Sequence, residues 1–384
     1  MTGAMYAAIS GLKAHMNKLN VIGNNIANVN TYGYKTQRAI FSDSIYATMT
    51  AGSNGTGTVG AINPSQIGYG VELSSVDLDM SSGTYAPTGK DMDCMIMGDG
   101  FFLVGDKSNQ FSIDPMKSNT LTSLTLTRVG NFDFKADGYL SDGYGNVVYG
   151  FMCTGSVLDG TDPDNPVERN VFSDQLVPIT LPKLLNSRDE EGNLQIGYPT
   201  VDEDGVLHMA TGENGSELPF AGMDSISIDP KTGLITGTSK DTGMVVTIGI
   251  IAMGNVTNPN GVTHTSGPYY KAADGAGELQ ISLMGGIEKD IRICNDLESG
   301  EITEFTHVNA SLAGDAADGE GLPDGMRIYS AGTTELMTGG LEMSKTDLAT
   351  EIAEMITTQR GYQANSRIIT VTDSMLEELV NLKR

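Results

Sequence analysis

The hexapeptide Gly55-Thr56-Gly57-Thr58-Val59-Gly60 has the GxGxxG spacing of a dinucleotide-binding turn. Such a turn works only between a strand and a helix whose N-terminus meets the pyrophosphate. Here Gly52-Ser53-Asn54 precedes it and Pro64 soon follows. The segment reads as a loop. His15, His208, His264 and His307 stand apart, with no HExxH or other ligand pair. His15 lies on a helical segment outside its apolar seam and reads as solvated. Asp202-Glu203-Asp204-Gly205 lacks the alternate ligand spacing and closing Glu of a calcium loop, so it reads as a turn. Cys94, Cys153 and Cys294 are far apart with no CxxC. They describe neither a zinc site nor a disulfide framework and read as small hydrophobes. No nucleophile elbow or P-loop occurs. The expectation is a protein that is not an enzyme, with no catalytic residues, metal or cofactor.

The 384 residues suffice for two or three domains, and 39% hydrophobic content suffices to fold them. A formal net charge of −25 argues against nucleic acid, which requires a basic surface to displace counterions. It also disfavours anionic membranes. No apolar run approaches the length of a membrane span, and Lys13, His15 and Lys18 interrupt any signal-like segment. The expectation is a cytoplasmic chain, or one exported without a cleaved peptide.

The periodicity concentrates at the ends. Met5, Ile9, Leu12, Met16, Leu19, Gly23 and Ile26 alternate in steps of four and three, with Ile22 alongside, which predicts a helix over 3–27. Leu348, Ile352, Met355, Gln359, Tyr362, Ser366, Ile369, Asp373, Leu376 and Val380 repeat the alternation. The spacing of Ser344 and Asp347 predicts that this helix opens at Ser344 with a capping box. Such rows are what coiled coils bury, and neither end has a partner helix nearby in sequence. The ends are expected to pack on each other and on neighbouring copies.

Asn24, Asn25, Asn28 and Asn30, then Thr31-Tyr32-Gly33-Tyr34, predict a helix stop and a turn. Residues 51–70 read as a loop or as an extended segment held against another element. From Val71 onward the period is two. Met95-Ile96-Met97 and Phe101–Val104 flank Gly98-Asp99-Gly100 and read as a β-hairpin. Thr161-Asp162-Pro163-Asp164-Asn165-Pro166 reads as a domain crossing. Further strands are expected at 179–184, 226–228, 234–235, 245–253, 279–284 and 287–293. The fold class is mainly β and multi-domain, with β-rich middle domains and long terminal helices pairing as a coiled coil.

The stretches Ile9-Ser10-Gly11-Leu12 and Asn24-Asn25-Ile26-Ala27-Asn28-Val29-Asn30-Thr31-Tyr32-Gly33-Tyr34-Lys35 resemble the signature of the flagellar rod and hook proteins. Gln359-Arg360-Gly361-Tyr362-Gln363-Ala364-Asn365-Ser366 is similar to that family's closing helix, and 63–68, 98–102 and 127–132 match as well. The insertion after Gly150 and the type of helix ending point to the hook members, with the distal rod and other axial proteins as the alternative. The resemblance implies an inner-tube domain of 1–30 with 345–384 and a connecting region of 31–75 with 330–344. An inner β domain of 76–150 with 246–329 and an outer one of 151–245 complete it. It implies a homopolymer, a curved tube that passes torque from rod to filament, in the hook of the bacterial flagellum. The expected partners are other copies, the distal rod protein, the hook cap and hook–filament junction proteins, and the flagellar type III export apparatus. Assembly would complete the fold of the ends. No nucleic acid and no membrane insertion are expected.

Overall fold

The computed structural model describes residues 2–382, apart from 53, 55–59, 108–123, 160–166, 174–175, 189–193, 202–206, 212–217, 274, 278, 285–291, 295–301, 304–328 and 331–333. Most of the glycine hexapeptide, the acidic run from Asp202, the Pro/Asp passage, His307 and most of the expected strand at 287–293 therefore lie outside the described residues. The chain is β-rich with a helix at each end, and it divides into two compact units, 1–80 with 344–384, and 81–343.

In the first unit, helix α1 (Thr2–Ala27) and helix α2 (Leu348–Leu382) pack against each other. At 35 residues, α2 is about 52 Å long. It opens at Leu348 and not at Ser344. Asp347 caps it, accepting from the Ala349 N–H at 3.0 Å and from the Thr350 hydroxyl at 2.6 Å. These bonds hold its carboxyl below the ordinary aspartate value. Ser344 instead bonds Thr346 at 2.8 Å. Residues 28–33 turn the chain, with Gly33 at φ +68°. Beyond them the strands β1 (Gln37–Asp43), β2 (Tyr46–Thr50), β3 (Ser65–Gly68) and β4 (Val71–Leu78) form antiparallel ribbons, β1 with β4 and β2 with β3. Among the described residues of 51–70, Ser65–Gly68 is extended, and its partner is β2 just before it.

The second unit is a network of antiparallel strands joined at its margins by short parallel pairs. The strand Val147–Asp159 runs through its middle and pairs with Phe101–Gly105, Val177–Pro178, Val245–Ile251 and Val167–Phe172. Cys94, Ile96, Phe102, Phe132, Val148 and Met152 belong to the core. Cys94 and Cys153 are buried free thiols, and burial pushes the Cys153 thiol up to about 12. The side chain of Cys294 lies outside the described set.

The Gly98-Asp99-Gly100 turn does not make the expected hairpin. Asp93–Met97 pairs with Glu335–Thr338 and Gly130–Asn131, whereas Phe101–Gly105 joins the main network. Gly98 and Gly100 both have φ near +120°, so the chain changes sheets there instead of reversing on itself. Arg128, fully buried, fixes this crossing by donating to the Gly98 carbonyl at 2.9 Å. Buried Glu342 lies 3.8 Å away, and its second oxygen accepts from the Gly83 N–H at 2.7 Å. Burial lowers the Arg128 pKa while Glu342 opposes the shift. A pair so enclosed contributes register more than net stability.

Candidate functional site

The two helices meet antiparallel, and the row between them is made of small side chains. A Cβ added to Gly11 would lie 2.6 Å from Asn365 Nδ2, and one added to Gly361 would lie 2.7 Å from the His15 ring. Ala8, Gly11 and Ala14 of α1, with Thr358 and Thr372 of α2, are buried. Thr358 and Thr372 return their hydroxyls to the carbonyls of Glu354 and Ile368, so these polar groups stay paired. Lys18 bridges Glu354 at 2.9 Å, partly exposed and worth little alone. His15 is half-buried and not fully solvated as its position outside the seam suggested. It packs edge-on to Phe41, with its ring centroid 6.5 Å away, and its Nδ1 is buried with no hydrogen-bond partner among the described residues.

At one end of the pair the asparagine run forms a polar joint. Asn25 is buried, and all its amide capacity is used. Its Oδ1 accepts from the Gln37 N–H at 3.0 Å and the Tyr34 hydroxyl at 2.9 Å. Its Nδ2 donates to the Gln37 carbonyl at 2.8 Å and to Glu351 Oε1 at 3.1 Å. One side chain therefore ties the end of α1, the start of β1 and the first turn of α2. Burial raises the Glu351 carboxyl above its ordinary range, and the Asn25 amide pulls the other way. Asn24 donates to the Tyr34 hydroxyl, and Asn28 to the Asn24 carbonyl and side chain. Thr31 donates to Asn28. Lys35 is buried, its Nζ 3.3 Å from the Met80 carbonyl. Asn30, Gln359 and Arg360 are exposed and lie outside the joint.

The apolar rows lie beside the small-residue contact. Ile22 is buried, Met5, Ile9, Leu12, Leu19 and Ile26 are half-buried, and Met16 is exposed. On α2, Met355, Tyr362, Ile369 and Leu376 are half-buried, while Leu348, Ile352 and Val380 are exposed. Gly23 has no atom within reach of an added Cβ. The row that joins the helices (Ala8, Gly11 and Ala14 with Thr358, Gly361 and Thr372) carries no large apolar side chain. A search for large apolar side chains at helical spacing passes over it. Its signal is small residues three apart, Ala8, Gly11 and Ala14 on α1 and Thr358 and Gly361 on α2.

Among the described residues, no group of three or more His, Cys, Asp or Glu side chains could hold a metal ion, and no helix is long and apolar enough to cross a membrane. What the arrangement offers is surface: two long helices in contact through small residues, with several larger apolar side chains, among them Met16, Leu348, Ile352 and Val380, left exposed.

Comparison with known proteins agrees at both ends. Residues 5–35 match the family described as flagella basal body rod protein, and residues 337–382 match the flagellar basal body rod FlgEFG protein C-terminal family. The flagellar basal-body rod protein FlgG of Bacillus subtilis (strain 168) is 29% identical over 384 residues, covering 100% of both chains. The flagellar hook protein FlgE of Borreliella burgdorferi is 25% identical over 471 residues, also covering 100% of both. The hook protein of Escherichia coli (strain K12) is 26% identical over 441 residues, covering 99% of this chain and 100% of its own. Both its N-terminal joint and its C-terminal helix thus match flagellar rod-protein families, and over its full length the chain is similar to flagellar rod and hook proteins.

Proposed function

We propose that this chain is a structural subunit of the bacterial flagellar hook, polymerising into a curved, flexible tube that transmits torque from rod to filament. The observation that carries this reading is the division of labour on the helices. Small residues make much of the contact within the chain, and the larger apolar residues, Ile22 apart, are left half-covered or exposed beside it. An apolar row left open on a long helix is a contact site in waiting. At about 25 cal/mol per Å², a dozen such residues would contribute on the order of 10 kcal/mol to assembly before entropy costs. A tube of this kind grows by a heterologous contact, one patch on a different patch of the next copy.

In this reading the helices pair as a coiled coil in an inner tube built from 1–30 and 345–384. Residues 31–75 with 330–344 connect them to the β domains, 76–150 with 246–329 inside and 151–245 outside. Met5, Ile9, Leu12, Met16, Leu19, Ile22, Ile26, Leu348, Ile352, Met355, Tyr362, Ile369, Leu376 and Val380 form the subunit interface. The partners are further copies, the distal rod protein, the hook cap and junction proteins, and the flagellar type III export apparatus. The role is structural, without catalysis.

The second reading is a distal rod protein, favoured by the full-length match to the Bacillus subtilis rod protein. Electron microscopy of the salt-polymerised protein separates the two. Curved, polymorphic tubes are expected, and straight rigid tubes would replace the hook by the rod. Deleting residues 345–384 is expected to leave a soluble chain that never polymerises. Tubes from the truncated chain would sink both.

A further inference from the structure

Residues 45–70 contain no Asp, Glu, Lys, Arg or His, in a chain of net charge −25. Within this stretch β2 and β3 form a two-stranded ribbon, Ala47 opposite Ile67 and Thr48 opposite Gln66, with a bulge before Thr50. The ribbon is tied at its base by the Tyr69 N–H to Ile45 carbonyl bond and the Ser44 N–H to Gly70 carbonyl bond, both 2.9 Å. Its side chains Ile45, Met49, Ile62 and Ile67 are all more than half exposed. A two-stranded ribbon with no cover is marginal in water, and its open edges carry no charged residue to discourage pairing. This is a surface built to be covered.

A second uncovered row lies on α2. Ile368, Val371, Met375, Leu379 and Leu382 follow steps of three and four and are 45% to 82% exposed. At 3.6 residues per turn they fall on the opposite side of the α1-facing row from Ile352, Met355, Tyr362, Ile369 and Val380. This second flank was not part of the apolar row read from the sequence, and the helix pairing leaves it free.

We propose that the uncharged β2–β3 ribbon of one copy docks on the Ile368–Leu382 flank of α2 in a second copy. The inference rests on the polymer reading above and names the contact that reading leaves open. Charge selects the occupant. Two copies at −25 each repel, so a contact between them costs least where one side carries no charge at all. The ribbon is that side. The two patches are unlike, so their contact is heterologous and propagates from copy to copy instead of closing a dimer. Their lengths also match: five ribbon residues span about 17 Å and the flank about 21 Å.

The test uses full-length protein with Cys294→Ser to remove the thiol outside the described set. One preparation carries Ile67→Cys, the other Met375→Cys, and the two are mixed, polymerised and treated with a short bifunctional maleimide. A covalent dimer containing one chain of each kind is expected in the polymer and absent from dilute monomer. Polymer that forms without that dimer overturns the proposal. So does a double variant, Ile67→Cys with Met375→Cys, that closes within a single dilute chain, because the ribbon would then cover its own helix. Met49→Glu is expected to raise the concentration needed for polymerisation about tenfold or more while the monomer's circular dichroism stays unchanged. Unaltered polymerisation by this variant counts against the ribbon contact. Failure of the unsubstituted chain to polymerise at all would instead strike the functional reading beneath it.

Discussion

Asn25 shows how much a single residue can organise. Four hydrogen bonds at 2.8 to 3.1 Å join it to the strand and the helix that must meet beside it and to Tyr34 of the turn between α1 and β1. Its partner Glu351 gives the joint a pH response. The Glu351 carboxyl is raised, chiefly by burial, so the folded joint binds a proton more tightly than the unfolded chain does. Stability therefore rises as pH falls through the window just above the ordinary glutamate value of 4.5, and is lowest above that window. Asp347 acts with the opposite sign. Its carboxyl is depressed, so its contribution is present above 3.8 and lost as pH falls through the lower folded value. Glu351→Gln keeps an acceptor for the Asn25 amide and removes the partly desolvated charge. It should flatten the pH dependence of the helix-pair transition between neutrality and the glutamate range without loss at pH 7. Glu351→Ala deletes the acceptor and should lose up to about 1 kcal/mol. Thermal melts followed by circular dichroism across pH separate the variants, and a wild-type curve that is flat above pH 4.5 would contradict the argument.

At the scale of elements, the two helices carry glycines with opposite demands. Gly361 faces the His15 ring so closely that Gly361→Leu should separate the helices and reduce their helical signal. A Cβ added to Gly23 meets no described atom within 4 Å, so Gly23→Ala should stabilise α1 by about 1 kcal/mol through helix propensity. If the row containing Gly23 meets neighbouring copies, Gly23→Leu should leave the monomer intact and block polymerisation. Normal tubes from Gly23→Leu would remove that part of α1 from the interface. The presence of both helices was legible because their apolar residues repeat in steps of three and four. The pairing surface was not, because Gly11, Ala14, Thr358 and Gly361 carry no apolar signal at that spacing. The start of α2 was misread by three residues, since Ser344 and Asp347 are both good caps and only the folded chain shows which bonds the helix. The Gly98–Gly100 turn marked a change of direction, but turn residues do not say which strand the chain then joins. The polar joint was visible as a cluster of asparagines, whereas its link to Glu351 spans 326 positions and has no local sign.

For the whole molecule, the balance between charge and apolar surface sets the conditions of assembly. Each copy carries 48 acidic against 23 basic residues, so every added copy meets repulsion from those in place. Ionic screening shortens that repulsion to about 8 Å at physiological salt and about 3 Å at 1 M. The apolar rows of α1 and α2 and the uncharged ribbon are indifferent to screening, and sulfate strengthens their burial. Polymerisation should therefore be weak in dilute buffer, grow with sodium chloride and grow further in sulfate at equal ionic strength. Light scattering against salt concentration measures this directly. Assembly that weakens as salt rises would mean that ion pairs between copies dominate, and the apolar contacts argued from Ile45, Met49, Ile368 and Met375 would then be secondary. Assembly insensitive to salt but lost in Met49→Glu would keep those contacts and discard the role given to net charge.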